Sequence, residues 1–169
     1  MPHSFDVLIE SAAGVDQIHA AFGREDYWLA RIAAGGANAT TTLDALTVAD
    51  DGTVTVRMTQ HVGRQLLPGA AAKFVRGDLK MVNFQTWTPV ADGRVCGQSS
   101  ISVPGGLGSG GAETWMTPVS GGTQLHHAVR VEVKIPLLGG KFEKAIGAGL
   151  AKSLPAAQRF TDMWLAEHA

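Results

Sequence analysis

The fold turns on the run Leu125-His126-His127-Ala128-Val129-Arg130-Val131-Glu132-Val133-Lys134-Ile135-Pro136 and on the C-terminal segment after it. Leu125, His127, Val129, Val131, Val133 and Ile135 alternate with His126, Arg130, Glu132 and Lys134, the period-2 pattern of a strand with one buried face. Pro136 ends the strand, since proline cannot donate to a ladder. From about Lys141 the period becomes helical. Phe142, Ala145, Ile146, Gly149, Leu150, Leu154, Ala157, Phe160 and Trp164 form one stripe, and Lys141, Lys144, Lys152, Arg159, Asp162 and Glu167 supply the solvated side. Some 25 helical residues would span roughly 35–40 Å, enough to cross a sheet. Pro155 lies inside the stripe and predicts a kink or short break near Leu154.

Upstream, the same period-2 signal predicts strands over residues 3–10, 40–49, 53–61, 79–90, 94–103, 111–119 and 123–135. Asp50-Asp51-Gly52, Ala91-Asp92-Gly93 and Ser120-Gly121-Gly122 separate neighbours with residues that tolerate positive φ, so consecutive strands should pair antiparallel. Two short helices follow the first strand. One carries Ile18, Ala21 and Phe22; the other runs from Arg24 to Ala34, bears Tyr27, Trp28, Leu29, Ala30 and Ile32, and stops at Gly35-Gly36. On residues 79–90 parity leaves two alternatives: either Asn83 and Gln85 face inward, or Val82 and Phe84 do. Leu66 to Val75 reads as an apolar loop with a short helix, packed on the core, lying as a lid over a pocket, or, with Arg64, Lys73 and Arg76 around it, touching an anionic lipid surface.

The expected architecture is α+β: a curved seven-stranded antiparallel sheet wrapped around a long C-terminal helix, with two short helices after strand 1, as a single domain over residues 1–169. This order resembles the helix-grip fold of the START-like superfamily, which takes in lipid-transfer domains, pollen-allergen-like carriers and polyketide cyclases or aromatases. The local likeness is carried by Val133-Lys134-Ile135-Pro136-Leu137-Leu138-Gly139-Gly140-Lys141-Phe142-Glu143, which is similar to the strand-to-helix turn of an uncharacterised bacterial branch. Trp87-Thr88-Pro89 and Met116-Thr117-Pro118 resemble its strand ends. The resemblance implies a concave space between sheet and helix of the kind that takes small apolar ligands.

Composition excludes several other classes. The 169 residues carry 14 Lys plus Arg against 15 Asp plus Glu, which speaks against a nucleic-acid partner. No stretch approaches ~18 consecutive apolar residues, so no stable membrane insertion is expected. The lone Cys96 fits a cytoplasmic protein and an inert thiol. Asn38-Ala39-Thr40 is taken as a chance sequon. Gly106-Leu107-Gly108-Ser109-Gly110-Gly111 matches G-x-G-x-x-G, but a strand follows where a phosphate-binding helix is needed, so the run is expected to be a hairpin loop. His126 and His127 point to opposite faces and cannot chelate one ion, so no metal or cofactor is expected.

The function these features point to is binding of a small hydrophobic molecule, such as a lipid, an isoprenoid or a polyketide-like compound. Phe142, Ile146 and Leu150 are expected as its floor, and Met58, Met116 and Val129 as its walls. His127, with Gln60 or Asn83, is expected to orient it. The alternatives are a cyclase or aromatase using the same cavity, or a closed structural domain. No residue is assigned a catalytic role: His127 is the one inward acid/base candidate, without a carboxylate beside it.

Overall fold

The computed structural model describes residues 2–35, 40–66, 69, 73, 77–103 and 105–169. The chain runs β1 (His3–Ser11), α1 (Val15–Phe22), α2 (Glu25–Ala34), β2 (Thr40–Val48), β3 (Val54–Val62), β4 (Leu79–Pro89), β5 (Val95–Ser102), β6 (Gly108–Val119), β7 (Gly122–Val133) and α3 (Gly139–Glu167). The seven strands form one curved antiparallel sheet ordered β1-β7-β6-β5-β4-β3-β2. It is the α+β helix-grip architecture expected from the sequence. β1 and β2 therefore lie at opposite edges, and α1 with α2 carries the chain from one to the other. The apolar loop expected over Leu66–Val75 and the sequon at Asn38 fall largely outside the described residues.

The hairpins are built as turn chemistry requires. Asp92 and Gly93 sit at φ 65° and 71° between β4 and β5, the paired positive-φ conformation that matches strand twist. On β7, Thr123, Leu125, His127, Val129 and Val131 are buried while His126, Ala128 and Arg130 are exposed, as the alternation demands. Two features differ from expectation. β6 begins at Gly108 and not at residue 111, because Gly108 and Gly110 pair with Val133 and Val131 in the ladder. The second half of the glycine run is thus strand and not loop. The C-terminal helix continues from Gly139 through Pro155 to Glu167 without a break. Proline removes the donor for the Ala151 carbonyl, and Ala151 is exposed, so water can take its place.

α3 lies along β1 and β7. Glycines set how closely it approaches. A Cβ on Gly147 would sit 2.8 Å from the His3 ring, and one on Gly139 would sit 2.3 Å from the Val133 carbonyl. The buried Glu143 accepts a 2.9 Å hydrogen bond from Val133 N–H, satisfying the last amide of β7. The expected helix-facing stripe is shifted accordingly: Gly139, Glu143 and Gly147 are the buried residues of the first turns, whereas Ala145, Ile146 and Gly149 are exposed residues.

The dry core occupies one end of the sheet. Phe22, Tyr27 and Trp28 from α1 and α2 pack there on Val54, Trp87, Val95, Met116 and Leu125, closed by Trp164 of α3. Ring centroids lie 4.7 Å apart for Phe22 and Trp87 and 5.3 Å apart for Tyr27 and Trp164. Trp28 Nε1 donates to the Phe22 carbonyl at 2.7 Å, so its one polar atom is satisfied.

Candidate functional site: a cavity over a polar floor

Ladder register arranges the inward side chains in rows across the sheet. The row deepest in the core is Val95, Met116, Leu125 and Ile9. The next is Val54, Trp87, Gly97, Thr114, His127 and Val7, followed by Val56, Gln85, Ser99, Ala112, Val129 and Phe5. Above these come Met58, Asn83, Ile101, Gly110, Val131 and His3. The first row is wholly apolar and packed. The second and third place Thr114, His127, Gln85 and Ser99 on the face that meets open space.

That space is a cavity of about 540 Å³, mainly apolar, between rows two to four and the Ile146, Leu150, Leu154 and Ala157 side of α3. It exists because β6 has almost nothing to fill it with. Gly108, Ser109, Gly110, Gly111 and Ala112 all border it, and of the β6 residues in its described lining Thr114 alone is larger than serine. The part of the glycine run from Gly108 onward is therefore a strand that makes room.

The floor is wired by hydrogen bonds. Trp87 Nε1 donates to Gln85 Oε1 at 3.0 Å, and Gln85 Nε2 donates to Asn83 Oδ1 at 2.9 Å. Asn83 and Gln85 face inward and Phe84 is exposed, which resolves the parity of β4. The Trp87 indole lies across Gly97 on the neighbouring strand, where a Cβ would come 2.3 Å from the ring. His127 Nδ1 is 2.7 Å from Thr114 Oγ1. Its Nε2 has no protein partner among the described residues: it is a donor if Thr114 donates to Nδ1, and an acceptor if Nδ1–H donates to Thr114. Burial pushes the His127 imidazole down to about 4, with repulsion from His126 and Arg31 adding to it, so the ring is neutral at pH 7.

α2 contributes Arg31 to the lining. Its guanidinium lies 5.2 Å from the Trp28 ring centre and donates to Tyr27 Oη at 3.4 Å. Tyr27 Oη is in turn 2.7 Å from Thr161 Oγ1, which donates to the Ala157 carbonyl at 3.0 Å. With Thr161 donating onward, Tyr27 O–H donates to Thr161 and Arg31 donates to Tyr27, a single direction from α2 to α3.

Of the residues expected at the site, Asn83, His127, Val129, Ile146 and Leu150 border the cavity. Met58 and Gln60 border a separate recess of about 100 Å³ with Thr41, Met81, Asn83 and Ile101. Met116 is 0% exposed and lies in the packed row beneath the floor. Phe142 is outside the lining, because the close approach of Gly139 and Gly147 turns Glu143 toward the sheet in its place. Arg31, Thr114, Ser99 and Thr161 join the site without having been expected there. Arg31 carried a signal, being four residues from Tyr27 and three from Trp28 and so on their helix face.

The remaining candidates stay structural. His126 faces outward, its Nε2 3.0 Å from Asp6. Cys96 is free, and its thiol is pushed up by burial and by Glu113, which disfavours the reactive thiolate. Among the described residues no group of three His, Cys, Asp or Glu is placed to hold a metal, and no helix is long and apolar enough to cross a membrane.

Comparison with known proteins agrees with this geometry. Residues 6–165 match the family described as Protein of unknown function (DUF2505). Uncharacterized protein Rv0481c of Mycobacterium tuberculosis is 35% identical over 175 residues, covering 98% of each chain. Among solved structures, TTHA0849 from Thermus thermophilus aligns with a TM-score of 0.59 at 12% identity, covering 100% of this chain and 99% of that one. A START superfamily protein from Mycobacterium smegmatis aligns at 0.54 and 13%, covering 99% of each. The di-domain ARO/CYC StfQ from the steffimycin biosynthetic pathway aligns at 0.60 and 14%, covering 99% of this chain and 52% of that one. These likenesses show that the chain shares its fold with those proteins.

Proposed function

We propose that this chain, which belongs to the family described as Protein of unknown function (DUF2505), binds a small hydrophobic molecule as one START-like domain over residues 1–169. The observation that carries the reading is the cavity of about 540 Å³, mainly apolar, above a floor of hydrogen-bonded polar groups. A concave space of this volume is the size that takes a drug-sized ligand. Ile146, Leu150 and Val129 supply the apolar wall, while His127 and Asn83 present polar atoms that orient one end. Lipids, isoprenoids and polyketide-like compounds share that chemistry, and the free Cys96 goes with a cytoplasmic setting.

A cyclase or aromatase using the same cavity is the second reading. The inward His127 imidazole favours it, as an acid/base side chain that borders the cavity, although burial holds its pKa near 4, well below the value that suits proton transfer at pH 7. The first reading is preferred because no carboxylate is hydrogen-bonded to His127 to orient and strengthen it. Native mass spectrometry of protein purified from its source tests the binding reading. The expected spectrum contains a complex heavier than the bare chain that releases an organic molecule on denaturation. A bare chain, with no uptake of any apolar compound from a lipid extract, would refute it.

A further inference from the structure

Arg31 is a cation facing an apolar cavity without a counter-charge. No Asp or Glu lies within ion-pair distance of its guanidinium, and all 15 acidic residues of the chain are among the described residues. Its partners are the Trp28 ring and the Tyr27 hydroxyl, which orient it but leave its charge uncompensated. A half-buried guanidinium has five N–H donors, and only one bond from it is made here. Placing a charge beside apolar walls costs free energy unless something pairs with it. The neighbouring His127, close enough to feel the Arg31 charge, borders the cavity as well. The Arg31 side of the cavity is thus positive, whereas at the other end, along Ile146, Leu150 and Val131, the bordering Arg130 is paired with Glu132.

Resting on the binding reading above, we propose that the ligand is an amphipathic anion, an apolar body ending in a carboxylate or a comparable planar oxyanion, with Arg31 as the residue that recognises the charge. A planar carboxylate matches the guanidinium fork, and such charge-assisted pairs are the strong ones. Binding also removes the uncompensated charge that the empty cavity leaves. His127 Nε2 can donate to the same oxyanion when Thr114 Oγ1 donates to Nδ1.

The test compares acids with their alcohols: dodecanoate against dodecan-1-ol, and 2-naphthoate against 2-naphthalenemethanol, titrated calorimetrically at pH 7.5. The expected result is that at least one acid binds about tenfold or more tightly than its alcohol. Arg31→Gln should lower affinity for that acid by about the same factor and leave the alcohol unchanged, while Arg31→Lys should retain part of the difference. Equal affinities for acid and alcohol in the native chain would overturn the anion proposal and leave the binding reading standing, even if the Arg31 variants fail to fold. Binding of none of the four would overturn both.

Discussion

His127 is held by Thr114 on one nitrogen and by the cavity on the other, and its displaced titration makes it a reporter of folding. The unfolded ring protonates near 6.5 and the folded ring only near 4, so between those values the unfolded chain binds the extra proton. The contribution of His127 is therefore fully present above 6.5 and lost as pH falls toward 4. The slope is about 1.4 kcal/mol per pH unit. Urea denaturation at pH 7.5, 6 and 5 should show stability falling across this window, with His127→Gln flattening the fall; an unchanged slope in the variant would clear His127. The orientation of this residue was legible in the sequence, because β7 alternates without interruption. The same parity failed on β4, where apolar Val82 and Phe84 competed with Asn83 and Gln85. What decided it was the bond chain from Trp87, a cross-residue interaction that no hydropathy pattern contains.

α3 was legible as an element and less so as a surface. Its existence, length and solvated lysines follow from period, but the sheet-facing side is not its most apolar one. Gly139, Glu143 and Gly147 are buried there, because two missing side chains let the helix come down on β1 and one carboxylate closes the end of β7. Glu143→Ala leaves the Val133 amide buried without an acceptor, and should cost about 1–3 kcal/mol in denaturant titration. Glu143→Gln keeps an acceptor at that position and should cost less. If the two variants are equally stable, the bond to Val133 is not what fixes the helix. Pro155 shows the reverse error: the residue most hostile to a helix sits inside a continuous one, at a place where the orphaned carbonyl is exposed.

Across the whole molecule, the sheet has a packed end and a hollow end, divided by the row from Trp87 to His127. The packed end was legible from its large residues, whereas the hollow end is defined by residues too small to register in any hydrophobic pattern. Gly110→Val tests that division. The glycine has ordinary strand backbone, and its Cβ would meet only the Arg130 carbonyl at 3.5 Å, so valine should be tolerated and strengthen the strand. Its side chain would occupy the cavity, so uptake of apolar ligands should fall about tenfold or more with no loss of thermal stability. Unchanged uptake would mean the ligand sits elsewhere. The sheet order carries a further consequence, for the order in which the molecule comes into being. β1 precedes the other six strands in the chain, yet its strand partner among the described residues is β7, which follows them all. A ribosome emitting this chain releases six strands before β1 can pair, and the row beneath the cavity joins residue 7 to residue 127. The cavity is thus closed only after β7 has joined β1, and any lesion that delays β7 leaves β1 as an open edge for as long as the delay lasts.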